Sequence, residues 1–343
     1  MDNIVKTDIL EFVSSFELSE ELVNSRILIT GATGLIGSAL IHCLIALDKG
    51  INVVAVVRDV GKAKSLFMPE EMRNIELLEA DITTYDYSNM RNIDYIIHCA
   101  APTTSQFFLT DPVDTFNTIY LGAYKLLEYA RKHSVKSFVN LSSLEVYGTV
   151  SLDVETKISE DMQGYISPQS VRSCYPMAKR AVENLCCLYA YQYNLHVISV
   201  RLTQTTGAGA SQLDNRVIAL FARLAARGED IILHTTGESS RPYCYITDAV
   251  EAILYALLKG SSGEIYNIAN DETFISVRDL AYYIKNNFAH QINVRVEIPV
   301  VDMGYAPSSR LDLDTNKIKN VGWTPRVGLY DMLNRLICYY KNL

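Results

Sequence analysis

Arg26-Ile27-Leu28-Ile29-Thr30 runs directly into Gly31-Ala32-Thr33-Gly34-Leu35-Ile36-Gly37. The first five residues read as a buried strand, and Leu35 to Leu47 reads as the helix that follows it. Glycines without side chains permit a tight turn there. They also let backbone N–H groups approach a pyrophosphate at the helix N-terminus. A glycine turn can serve packing alone, but its place between the first strand and a helix points to dinucleotide binding. The loop residues so assigned are Gly31, Thr33, Gly34, Leu35, Ile36 and Gly37. Their spacing is G-x-x-G-x-x-G.

Outward from this loop the same alternation continues. Residues 52–57, 75–78, 95–98, 137–141 and 196–200 are short apolar runs that read as buried strands. Helical stretches separate most of them, including 113–133 and 175–193. Strands alternating with helices predict an α/β fold with a doubly wound parallel sheet of the Rossmann type. From about residue 201 the pattern loosens, with Gly207, Gly209, Gly237 and Pro242 as punctuation. The expected organisation has three parts. Residues 1–25 form a helical extension, with Ile9, Phe12, Val13 and Phe16 at helical spacing. Residues 26–200 plus about 243–270 form the dinucleotide-binding domain. Residues from about 201 to 242 plus 271–343 form a smaller mixed α/β substrate domain.

Composition bounds the function. The chain has 343 residues, 49% apolar and 20% charged, with a net charge of -8. That acidity speaks against a nucleic-acid binder. No apolar run reaches membrane-spanning length, so no membrane association is expected. Seven cysteines, an odd number without metal-like spacing, point to reduced thiols in a cytoplasmic protein and to no metal site.

Two later features carry chemistry. Tyr175 and Lys179 stand four apart on a helix and so share one face. An ammonium beside a phenol favours phenolate, which would make Tyr175 an acid/base near neutral pH. A hydroxyl from Ser142-Ser143, at the end of another strand, can hold the reacting oxygen. At the end of the second strand, Arg58 and Asp59 stand side by side. An acid there takes the adenosine ribose hydroxyls of NAD, whereas an arginine favours the 2′-phosphate of NADP. Both are present, so these two residues leave the choice open; the expected cofactor is NAD, with NADP not excluded because of Arg58. Asp81 and Ile82 follow the third strand, where an acidic side chain can meet the adenine.

Together these motifs resemble the extended short-chain dehydrogenase/reductase family that modifies nucleotide sugars, over about residues 25–340. Gly31, Gly34 and Gly37 match its cofactor loop. Asp81-Ile82 and His98-Cys99-Ala100-Ala101 match later cofactor contacts, and Asn117 matches an asparagine that supports the active-site helix. Ser143, Tyr175 and Lys179 match the catalytic triad. Several segments are similar to those of UDP-glucuronate decarboxylases: Ala101 to Ser105, Asp111-Pro112, Arg172 to Tyr175, Asn215-Arg216-Val217, and Arg241 ahead of Tyr245 to Asp248. Glu145 falls on the acid that decarboxylases and 4,6-dehydratases place two after the catalytic hydroxyl. Arg310, ahead of Gly322-Trp323-Thr324-Pro325, matches an arginine near the sugar and diphosphate. Leu144, Thr203-Gln204 and Arg58 depart from the family pattern.

The resemblance implies an enzyme that oxidises the C4 hydroxyl of a nucleotide-diphosphate sugar with bound NAD. It then decarboxylates, dehydrates or epimerises the sugar. Ser143, Glu145, Tyr175 and Lys179 are its catalytic set. Thr103, Gln204, Arg216, Arg241 and Arg310 are its substrate contacts. The resemblance also implies a homodimer paired through helices 113–133 and 175–193. Alternative readings are a plain 4-epimerase, an NADPH-dependent keto-sugar reductase, and a non-catalytic dinucleotide-binding regulator.

Overall fold

The computed structural model describes residues 1–150, 156–299 and 308–343. Its strands in chain order are β1 (Arg26–Thr30), β2 (Asn52–Val57), β3 (Ile75–Glu79), β4 (Tyr95–His98), β5 (Ser137–Ser143), β6 (Val197–Leu202), β7 (Gln204–Thr206), β8 (Ile231–Leu233), β9 (Ser240–Tyr245), β10 (Ile265–Ile268), β11 (Asn270–Ser276) and β12 (Val294–Val296). The helices are α1 (Asn3–Ser15), α2 (Leu35–Ala46), α3 (Val60–Leu66), α4 (Phe107–Thr110), α5 (Pro112–Lys132), α6 (Cys174–Tyr193), α7 (Val217–Arg227), α8 (Ile246–Lys259), α9 (Val277–Phe288), α10 (Asn316–Lys319) and α11 (Leu329–Lys341).

Seven strands form one sheet in the order β10-β6-β5-β4-β1-β2-β3, and every pairing in it is parallel. Its strands are apolar on both faces because both faces are covered. Alternation sorts the side chains. Ile27, Ile29, Val53 and Ala55 enter a core with α2 and α8, while Leu28, Val54 and Val56 enter one with α5 and α6. The strand order reverses between β1 and β4, where Thr30 pairs with His98. Ligands of such sheets bind outside the carboxyl ends at this switch point. The glycine loop leaves β1 there, Cys99-Ala100-Ala101 leaves β4, and Ser143 ends the adjacent β5. β10 is the seventh strand, which the sequence pattern did not reveal.

Two smaller sheets, β11-β9-β7 and β12-β8, share a third core with α7, α9 and α11. The N-terminal α1 is packed onto the rest of the protein. Asp2 caps α1, and Phe12 and Phe16 bury against the α2 and α8 core.

One buried ion pair ties β5, β6 and α6 together. On α6, Glu183 accepts from Arg201 of β6 at 3.0 and 2.8 Å and from the Ser142 hydroxyl of β5 at 2.5 Å. Arg201 also donates to the Glu160 carbonyl and lies 4.7 Å from the centre of the Tyr147 ring. Both charged side chains are about 5% exposed or less. A buried pair is costly to break, because the surviving charge stays in a dry site. Glu183→Ala should therefore lower unfolding free energy by about 3–5 kcal/mol, measured by urea denaturation. A loss under about 1 kcal/mol, the value of an exposed pair, would contradict this.

Candidate active site

Gly31 sits at φ +66°, a conformation that glycine adopts without strain. A Cβ at Gly31 would lie 2.9 Å from the Ala100 nitrogen, and one at Gly37 would lie 2.3 Å from the Gly31 carbonyl oxygen. These glycines leave a cradle that side chains would fill. Gly34 caps α2 without a side-chain acceptor, so the first-turn N–H groups around Leu35 and Ile36 are open to an anion. Thr33 is half-buried beside them. The cradle fits a dinucleotide.

The Thr30 hydroxyl bonds His98 Nδ1 at 2.8 Å and accepts from the Ala100 N–H at 3.2 Å, which fixes the chain at the switch point. Burial, helped by the nearby Lys179 charge, pulls His98 down to about 3. His98 is thus held neutral. Ala100 and Ala101 are half-buried against the α5 and α6 core. Ile82 is buried, and its Cδ1 would lie 2.6 Å from a Cβ at Gly122. Asn117 is half-buried on α5.

The acidic groups near β2 and β3 are already engaged. Asp59 Oδ1 accepts from the Lys62 N–H at 2.9 Å and caps α3. Asp81 accepts from the N–H and the hydroxyl of Thr83. These bonds, with a smaller contribution from Arg58, hold its carboxyl below the usual range. Arg58 itself is exposed.

The catalytic candidates converge. Ser143 Oγ accepts from the Glu145 N–H at 3.2 Å and, near the Tyr175 phenol, favours its ionised form. Tyr175 is 7% exposed, at the start of α6. One turn on, Lys179 Nζ donates to the Leu141 carbonyl at 2.6 Å and lies 5.8 Å from the centre of the Tyr175 ring. Burial lowers Lys179 to about 8. The expectation that the phenol is easily ionised is overturned. Burial, reinforced by the Glu145 carboxylate, pushes Tyr175 up, and Ser143 and Arg216 oppose this only in part. The Lys179 ammonium is directed at the Leu141 carbonyl, beside the ring.

One neighbour of Tyr175, Phe108, escaped the sequence reading, and Arg172, read only as part of a matching segment, reaches the same region. Phe108 stacks on Tyr175, with ring centres 4.6 Å apart and planes 15° apart. Arg172 lies 5.9 Å from the centre of the Phe108 ring and reaches Glu145 Oε2 at 3.4 Å. The aromatic pair Phe107-Phe108 inside a hydroxyl-rich loop was the available signal.

The substrate candidates are distributed more widely. Gln204 opens β7, and its Oε1 is buried with no partner among the described residues. Arg216 is paired to Asp214 at 2.6 Å yet acts electrostatically on Tyr175. Arg241 on β9 opposes Ile275 of β11. Arg310 bridges to Ser240, next to Arg241, pairs with Asp312 at 2.8 Å and lies 4.3 Å from the centre of the Phe274 ring. Thr103 is exposed in the loop before Phe108.

A model of the NAD dependent epimerase/dehydratase family matches residues 27–269. The chain belongs to this family. NAD is accordingly its cofactor. UDP-glucuronic acid decarboxylase 6 of Arabidopsis thaliana is 31% identical over 311 residues, covering 90% of this chain and 87% of that one. UDP-glucose 4-epimerase of Thermotoga maritima, solved with UDP-glucose, superposes with a TM-score of 0.78 at 26% identity, over 92% of this chain and 99% of that one. The fold is also that of dTDP-glucose 4,6-dehydratase of Bacillus anthracis, solved with NAD, with a TM-score of 0.75 at 21% identity over 93% and 97% of the two chains.

Gly37→Ala forces a methyl group into the Gly31 carbonyl. It should reduce NAD bound to the purified protein at least tenfold, about the effect of losing 1.4 kcal/mol. Unchanged NAD content, measured after acid release, would contradict the assignment.

Proposed function

We propose that this protein oxidises a UDP-linked sugar acid at C4 and then decarboxylates it. One observation carries the reading: Ser143, Tyr175 and Lys179 meet at the sheet's switch-point edge, with the Glu145 carboxylate acting electrostatically on the same phenol. The decarboxylase relative supports this chemistry, and the 4-epimerase and 4,6-dehydratase structures share its fold.

NAD, when bound, would supply the acceptor for the C4 hydride and the source of its return. Tyr175 takes the proton of the C4 hydroxyl, and Ser143 holds that oxygen. Lys179, buried and directed by the Leu141 carbonyl, holds the nicotinamide ribose and adds positive charge beside the phenol. The C4 ketone makes a C6 carboxylate part of a β-keto acid, which loses carbon dioxide. Glu145 handles the proton at C5 or orients the sugar. Arg216, Arg241 and Arg310 bind the diphosphate, since planar guanidinium groups suit phosphate oxygens. Gln204 and Thr103 meet sugar or base hydrogen-bonding groups, and Asn117 supports α6. The substrate unit comprises residues from about 201 to 242 plus 271–343, closing on the dinucleotide-binding unit.

The protein acts as a cytoplasmic homodimer in this reading. Leu121 and Tyr124 of α5 and Leu188 and Tyr191 of α6 are exposed, and Tyr191 is 91% exposed. A two-fold pairing would cover this apolar strip. Light scattering should give a dimer for the protein and a monomer for Leu188→Glu. A monomeric wild type would contradict the pairing.

Tyr175→Phe removes only the phenolic oxygen. It should abolish turnover while leaving NAD content and the circular dichroism spectrum unchanged; near-normal turnover would remove Tyr175 from the mechanism. Glu145→Gln keeps size but loses basicity. Product formation should slow by about 10²-fold or more. Reduced nicotinamide should accumulate, seen by its near-ultraviolet absorbance, because C4 oxidation survives. An unchanged rate would make Glu145 structural and favour simple epimerisation.

A further inference from the structure

The family match begins at residue 27, so α1 lies outside it. Yet α1 carries a buried carboxylate. Asp8 is 3% exposed, and a carboxylate in such a place is costly unless it is well bonded. It accepts from the Tyr245 phenol at 2.6 Å and from Arg335 of α11 at 2.7 Å. Arg335 also holds Glu11 at 2.7 Å and lies 5.5 Å from the centre of the Tyr245 ring.

Tyr245 passes the contact on. It ends β9, is fully buried, and has a single proton, which goes to Asp8. Its oxygen then accepts from the Ala208 N–H at 3.4 Å. Ala208 belongs to Gly207-Ala208-Gly209-Ala210, the turn after β7. Gly207 leaves no room for a side chain there: a Cβ would lie 2.3 Å from Ile246 Cγ2. Gly209 has φ +95°, and a Cβ on it would touch Leu35 Cδ1 at 3.7 Å. Leu35 opens α2, the helix that receives the pyrophosphate. Ile36 and Ala39 of α2 pack against both the core holding Phe12 and Phe16 and the core holding Tyr245. A continuous path runs from Asp8 through Tyr245 and the 207–210 turn to the cofactor loop.

We propose that α1 is a positioning element of the NAD site, with Asp8 and Tyr245 as its positioning residues. Asp8 fixes the Tyr245 hydroxyl, which seats the 207–210 turn against Leu35 and so sets the start of α2. The inference rests on family membership and the cofactor cradle, not on the sugar or the reaction.

The test uses the full chain stripped of nucleotide and titrated with NAD by calorimetry, with urea unfolding of the NAD-free protein alongside. Tyr245→Phe keeps the ring and removes the link. Asp8→Asn keeps the size and removes the charge. Each should weaken NAD binding about tenfold, the scale of one buried hydrogen bond. The double variant should lose little more than either single one, because both act through one link. Leu10→Gln, on the same helix but 68% exposed, should bind NAD as the wild type does. Wild-type NAD affinity in both Tyr245→Phe and Asp8→Asn, with only the stability lowered, would overturn the proposal and leave α1 a packing element. Additive losses in the double variant would also overturn it.

Discussion

The Glu183–Arg201 pair is the constraint on which the active edge depends. It joins α6 to β6, and through Ser142 it joins both to β5. Ser143 is the next residue on β5, and Lys179 is one helical turn before Glu183. A single carboxylate therefore sets the distance between the strand that supplies the serine and the helix that supplies the tyrosine and lysine. Its hydrogen bonds satisfy both oxygens, which is the condition under which a buried charge is tolerated. The fold brings these elements close; the ion pair fixes their register and leaves little freedom for the site to spread.

Burial then governs the chemistry. His98 is kept neutral, Lys179 is brought down to about 8, and Tyr175 is pushed up. In such a site each charge counts for more than it would in water. The Glu145 carboxylate opposes phenolate formation, and Arg172 is placed to offset it from the other side. The stacked rings of Phe108 and Tyr175 keep water from one face of the phenol.

Much of this was legible in the sequence because it is local. Gly31, Gly34 and Gly37 announce their backbone geometry by spacing, and Tyr175 and Lys179 share a face by helical period. The strands of the parallel sheet stand out as apolar runs. What escaped is non-local or competitive. Asp59 reads as a ribose ligand, but nothing in its own segment shows that one of its oxygens also caps the neighbouring helix. The sign of the Tyr175 shift depends on burial, which no spacing reports. The Ile265–Ile268 strand is four residues long and lies between looser segments, so periodicity could not separate it from them. Asp8 and Tyr245 are 237 residues apart, and nothing in either segment names the other.

The central claim is that this edge oxidises C4 of a nucleotide sugar in order to release carbon dioxide. Its most direct test is incubation of the purified protein with UDP-, dTDP-, CDP- and GDP-linked sugars, neutral and acidic, read by mass spectrometry. The account predicts that a UDP-linked sugar acid loses the mass of carbon dioxide with no added oxidant. Loss of the mass of water from a neutral sugar, or isomerisation without mass change, while the sugar acid is left intact, would contradict it.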